Sequence, residues 1–98
     1  MKDMNQMSHP GIILKREFME PYKVTAYRLR KDAQIDNMTI SEIVRGKRSI
    51  TTKTALKLAR FFGVSDNYFI NLQNEFDLRQ VRKQMENELA NIKVLKSA

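Results

Sequence analysis

The segment Ser41 to Thr51, SEIVRGKRSIT, places Arg45, Lys47 and Arg48 directly beside Ile43 and Val44, which with Ile40 keep the spacing of the buried side of a helix. Cations grouped at the end of a short apolar-anchored run serve one of two ends: they complement the negative end of a helix, or they hold a polyanion. Other chemistry-bearing side chains are few. His9 is the only histidine and there is no cysteine, so neither a metal site nor a nucleophilic dyad finds its second member. The place of His9, just before Pro10, suits capping of a first helical turn or exposure to solvent. Glu17 and Glu20 lie about one turn apart on a surface helix, where solvation or the helix dipole accounts for carboxylates. Gly11, Gly46 and Gly63 are the only glycines and do not form a phosphate-binding loop. The chain is expected to have no enzymatic activity, cofactor or metal.

The charge is more informative once located. Lys23 to Arg60 contains ten lysines and arginines against Asp32, Asp36 and Glu42, which is the entire formal charge of +7; the remainder carries eight cations and eight anions. A positive field concentrated in the middle of a chain points to nucleic acid, against the alternative of scattered solvated charge. A membrane surface fits less well, because no apolar stripe is left without a core to join. At 98 residues the chain has room for one modest core. The opening MKDMNQMSHPG lacks the apolar stretch of a signal peptide, and nowhere do about 18 apolar residues run together. A soluble, cytoplasmic protein is the expectation, and the missing cysteines suit a reducing compartment.

The elements that would position the central cations are helices. Pro10 fits a first helical position, and Ile13, Leu14 and Phe18 share a face until Pro21. Thr25 looks like an N-cap for a second helix over about Ala26 to Ala33, with Val24 and Leu29 at the two positions of a hydrophobic staple. A third helix, carried by Ile40, Ile43 and Val44, stops at Gly46. A fourth starts near Thr51 or Thr52, aligns Ala55, Leu58, Ala59 and Phe62, and ends at Gly63. Ser65 is the expected cap of a fifth, with Phe69, Leu72 and Phe76 on one side. Beyond it Leu78, Val81, Met85, Leu89 and Ile92 continue at steps of three and four. The expected organisation is a flexible segment over residues 1–8, an all-α domain over 9–76, and a C-terminal helical extension over 77–98.

Helices two and three, separated by QIDNM, read as a helix-turn-helix, against the plainer alternative of an ordinary helical pair with a solvated face. The third helix is small and polar on one side, with Asp36, Asn37, Thr39, Ser41, Glu42 and Arg45. Such a helix can enter a groove about 12 Å wide while its apolar side stays anchored, and cations just past it reach flanking phosphates.

The runs HPGIILKREFMEP, VTAYRLRKDAQI, TISEIVRGKRSITTKTALKLARFFG and SDNYFINLQNEFDL resemble successive parts of the HigA-type antitoxins, also known as virulence-associated protein I, of the XRE and Cro-like helix-turn-helix superfamily. The resemblance runs from about His9 to Leu78. It implies a five-helix bundle of the lambda-repressor kind with the C-terminal extension, and a DNA-binding antitoxin that represses its own operon and neutralises a HigB or RelE-like ribonuclease toxin. The alternatives are a stand-alone repressor of the same superfamily with no toxin partner, and a purely protein-binding helical module whose basic face meets an acidic protein. Carried over by position, Asn37, Met38, Ser41 and Glu42 are the base readers: Asn37 for adenine, Glu42 for a cytosine amino group, Met38 for a thymine methyl. Thr25, Tyr27, Arg28, Arg45, Lys47, Arg48 and Ser49 are the implied phosphate contacts.

Two positions depart from the superfamily pattern. Arg30 stands where a small alanine is common, and Gln34 where the turn glycine is common. A differently shaped or longer turn is therefore expected, with Arg30 directed outward. The implied partners are a palindromic double-stranded operator, a small ribonuclease toxin and a second copy of the chain. The candidate homodimer surface is Leu78, Val81, Met85, Leu89 and Ile92; the other reading has this stripe packing back on its own domain.

Overall fold

Six helices, and no strand among the described residues, build the computed structural model, which describes residues 9–96. The flexible segment expected at residues 1–8, and the last two residues of the extension, lie outside the described residues. α1 opens as an α-helix (Pro10–Ile13) and continues as a π-helix (Leu14–Met19). α2 is Ala26–Ala33, α3 Asn37–Val44, α4 Thr52–Phe62, α5 Tyr68–Gln84 and α6 Glu86–Ala90.

Caps written into the sequence set the starts of the middle helices. Thr25 accepts from Arg28 N at 3.1 Å, Asp36 from Thr39 N at 2.6 Å, and Thr51 from Thr54 N at 3.4 Å. Each satisfies a backbone donor that has no partner inside its helix, a contribution of about 1 kcal/mol. Val24 and Leu29 are both buried, as the staple requires. α5 starts differently from the expectation: Asn67 stands at its N-cap without a side-chain bond. The Ser65 hydroxyl is directed to Asn67 Oδ1 at 3.0 Å and so does not cap the helix.

The core joins all of α1 to α5. Leu14, Leu29, Ile40, Ile43, Ile50, Leu58 and Phe69 are fully or almost fully buried, and Phe18, Phe62 and Phe69 meet with ring centroids 5.0 to 6.2 Å apart. Burying a side chain of this size stabilises the fold by roughly 1.5–3 kcal/mol. Alanines at 55 and 59 let α4 sit close against its neighbours, and it packs most extensively on α5. α5 then runs on through residue 77 without interruption, so the extension begins as a continuation of that helix. A break at Met85 (φ −103°, ψ 18°) divides the apolar stripe: Leu78 and Val81 lie on α5, Leu89 on α6, and Ile92 beyond the end of α6.

A candidate nucleic-acid interface

α3 is held from beneath and left open in front. Ile40 and Ile43 are in the core, Asn37 and Met38 are exposed, with Met38 at 67%, and Ser41 and Glu42 are half-buried. Behind it lies α1. A β-carbon on Gly11 would stand 1.7 Å from the Ile43 carbonyl oxygen, so only glycine lets the first turn of α1 press on the end of α3. The Asp36 carboxyl at its start is drawn below the usual carboxylate range, chiefly by the Thr39 N–H and further by the Thr39 side chain, with Arg48 and Lys57 adding to the effect. The Asp36 charge, and with it the α3 cap, therefore persists to lower pH than that of an ordinary aspartate.

The turn between α2 and α3 runs from Gln34 to Asp36. Gln34 takes the left-handed conformation (φ 59°, ψ 42°) that a glycine would take more cheaply, and its carbonyl accepts from Lys57 Nζ at 2.9 Å. The cross-link from α4 offsets part of the backbone strain and tethers the turn. Arg30 is exposed, as expected, with its guanidinium 5.3 Å from the Tyr27 ring centroid. Arg28 pairs with Asp32 and lies over Phe61 at 5.5 Å. Thr25, Tyr27 and Arg28 thus gather at the exposed start of α2.

The basic loop follows α3 directly. Gly46 has φ 76°, and the Lys47 N–H turns back to the Glu42 carbonyl at 2.8 Å. Arg45, Lys47, Arg48 and Ser49 are all exposed. Arg48 is also bound: its Nε and Nη2 both meet Glu42 Oε1, at 2.7 and 2.6 Å. Two residues that the resemblance places in different roles, base reader and phosphate contact, are therefore partners in the free protein. Arg45 donates to the Ser41 carbonyl at 3.2 Å.

Three residues position this site, and two of them, Gln73 and Gly11, escape a reading of the sequence. Gln73, 3% exposed, accepts from Ile50 N at 2.8 Å and donates to Asp77 Oδ1 at 3.0 Å. It fastens the far end of the basic loop to α5, and the only signal for it is a polar residue at core spacing between Phe69 and Phe76. Gly11 is the second. His9, the third, caps α1 as one of its two expected roles, its Nδ1 accepting from Gly11 N at 2.9 Å. Its ring also meets Phe76 edge-on at 4.9 Å and lies against Gly46, joining α1, α5 and the loop. Burial lowers its pKa, with Asp77 opposing.

The stripe expected at an interface is not packed back on the domain. Leu78, Val81, Leu89 and Ile92 are exposed and Met85 is half-buried. Among the described residues no group of histidine and carboxylate side chains is placed to hold a metal, and no helix is long and apolar enough to cross a membrane.

The helix-turn-helix family profile matches residues 15–69, from α1 into α5. Virulence-associated protein I of Dichelobacter nodosus is 39% identical over 75 residues, 76% of this chain and 69% of that protein. Antitoxin HigA-1 of Vibrio cholerae is 31% identical over 85 residues, 87% of this chain and 80% of its own length. Among solved structures, the Pseudomonas aeruginosa antitoxin HigA with the higBA promoter superposes with a TM-score of 0.82 at 29% identity, covering 90% of this chain and 97% of that one. With this fold, this match and these relatives, the chain belongs to the XRE-type helix-turn-helix family, in the group of virulence-associated protein I and the HigA antitoxins.

Proposed function

We propose that this chain is the DNA-binding antitoxin of a toxin–antitoxin pair, repressing its own operon and neutralising a small HigB or RelE-like ribonuclease. The observation that carries the reading is an exposed polar α3, wedged from behind by Gly11, that runs into a cationic loop fastened at both ends. The Lys47 N–H anchors the start of the loop and Gln73 its end. Preorganised cations beside a small groove-sized helix supply sequence-independent affinity and a register for base contacts. The solved relative with its promoter supports the same use of the fold.

In this reading Asn37, Met38, Ser41 and Glu42 face base edges. Lys47, Arg48, Arg45 and Ser49 hold phosphates on one side, and Thr25, Tyr27 and Arg28 on the other. A single recognition helix covers too few base pairs for useful discrimination, so two copies read a palindrome, joined through Leu78, Val81, Met85, Leu89 and Ile92. The protein works in the cytoplasm and performs no catalysis of its own. The toxin meets surfaces outside the DNA-reading segment, where charges balance.

Co-expression with the neighbouring small reading frame tests the partner. Co-purification and restored growth are expected; a neighbour that neither binds nor becomes harmless would leave a plain repressor. Asn37→Ala tests the interface: a loss of roughly 1–3 kcal/mol is expected on the operator, with relaxed preference at one base pair. An equal loss on random DNA would make Asn37 a backbone contact.

A further inference from the structure

From the Glu42–Arg48 pair we infer a specificity device in which the hold of Arg48 on phosphate is conditional on the base that Glu42 meets. The inference rests on the DNA-binding reading above. Glu42 stands on the groove-facing part of α3 and Arg48 six residues later in the loop, and a single carboxylate oxygen receives both guanidinium nitrogens. Gly46 makes the meeting feasible by reversing the chain, and the Lys47 N–H bond to the Glu42 carbonyl holds the reversal. The side chains are 43% and 32% exposed, Arg48 and Glu42 in that order, so the pair is of the weak, solvent-screened sort that a better partner displaces.

On random DNA α3 does not seat fully, Glu42 finds no donor, and the closed pair withholds one cation from the phosphates. A carboxylate brought to the groove without Arg48 would face a polyanion uncompensated, which keeps the pair shut. On the operator, a cytosine amino group at the Glu42 position donates to the carboxylate in place of the guanidinium. Arg48 is then released to the adjacent phosphate. Discrimination gains twice from one base pair: Glu42 bonds to the cytosine, and Arg48 grips a phosphate that it leaves untouched on random sequence. Lys47, which has no such carboxylate partner among the ion pairs of the described residues, meets phosphate on both kinds of DNA.

The test measures affinity against salt concentration for a duplex from the chain's own promoter and for a random duplex of equal length. Glu42→Gln keeps the shape and removes the charge. It is expected to steepen the log–log salt slope on random DNA by about 0.9, the effect of one more neutralised phosphate, and to weaken preference at one C·G pair of the promoter, since the amide oxygen still accepts from cytosine but without charge. Arg48→Ala is expected to make the promoter slope shallower by about 0.9 and to leave the random slope unchanged. In the double variant the random slope returns to that of Arg48→Ala, because no cation is left for Glu42 to withhold and an unseated α3 keeps Glu42 away from the groove on random DNA. A random slope untouched by Glu42→Gln, or one that Arg48→Ala lowers as much as it lowers the promoter slope, would overturn the inference while leaving DNA binding intact. Failure of the unaltered protein to bind either duplex would instead overturn the DNA-binding reading itself, and this inference with it.

Discussion

The segment from Thr25 to Thr51 and the segment from Leu78 to Ile92 are both helical, but they are held in different ways. In the first, helix starts are capped by side chains, the turn at Gln34 is tethered by Lys57, and the loop is fastened through Gln73. Leu29, Ile40, Ile43 and Ile50 are buried, while Tyr27 and Met38 are left exposed. In the second, α6 has no side-chain cap and no buried residue, and four large apolar side chains face outward. A segment that presents polar groups to a ligand must be positioned by its own chain. A segment that presents apolar groups gains its stability from whatever covers it.

The comparison breaks most severely at Gly11. Gly11→Ala is expected to destabilise the fold by about 3 kcal/mol or more in denaturant unfolding, because the added carbon collides with the backbone of Ile43 and neither helix can yield cheaply. Next comes Gln73→Leu, which leaves the Ile50 N–H without its buried acceptor; a loss of about 1–3 kcal/mol is expected, together with weaker binding to all DNA as the loop loosens. A stability change without any change in binding would mean that the loop does not depend on that anchor.

A smaller, pH-dependent effect is expected at His9. Burial holds its folded pKa below the usual value, so the unfolded chain binds the proton more readily. Its contribution is complete above the unfolded pKa of about 6.5 and is lost as pH falls toward and through the folded value. Asp77 on α5 opposes the shift. His9→Asn keeps a capping acceptor and does not titrate, so its denaturation midpoint is expected to lack that decline. The smallest effect on the fold itself belongs to the second segment. Met85→Asp with Leu89→Asp should change the stability of the domain by no more than about 0.5 kcal/mol while giving a monomer in sedimentation and weaker operator binding. An intact dimer would move the interface elsewhere.

The same contrast separates what the sequence announces from what it hides. Thr25, Thr51 and Gly63 mark helix limits through local chemistry, and α2 and α4 lie where these residues put them. Ser65 resembles them in type, yet its hydroxyl is taken by Asn67, a choice that depends on geometry two residues away. The need for glycine at position 11 comes from the close approach of Ile43, 32 residues later, and leaves no local pattern. Glu42 and Arg48 are visible as charged residues, but their pairing depends on the reversal at Gly46. Gln34 shows the converse: its type argues against a tight turn, and a tertiary hydrogen bond from Lys57 supports one.

The central claim, that this is a DNA-binding protein working through α3 and its basic loop, is tested most directly by titrating the protein against its own promoter duplex over a range of salt. Binding to the promoter is expected to be tighter than to a random duplex. Replacing Lys47 and Arg48 together with alanine should weaken it and make its log–log salt slope shallower by about 0.9 for each phosphate that is no longer neutralised. A promoter slope that the double replacement leaves unchanged would contradict the assignment of the loop, and equal affinity for promoter and random DNA would contradict sequence-specific recognition.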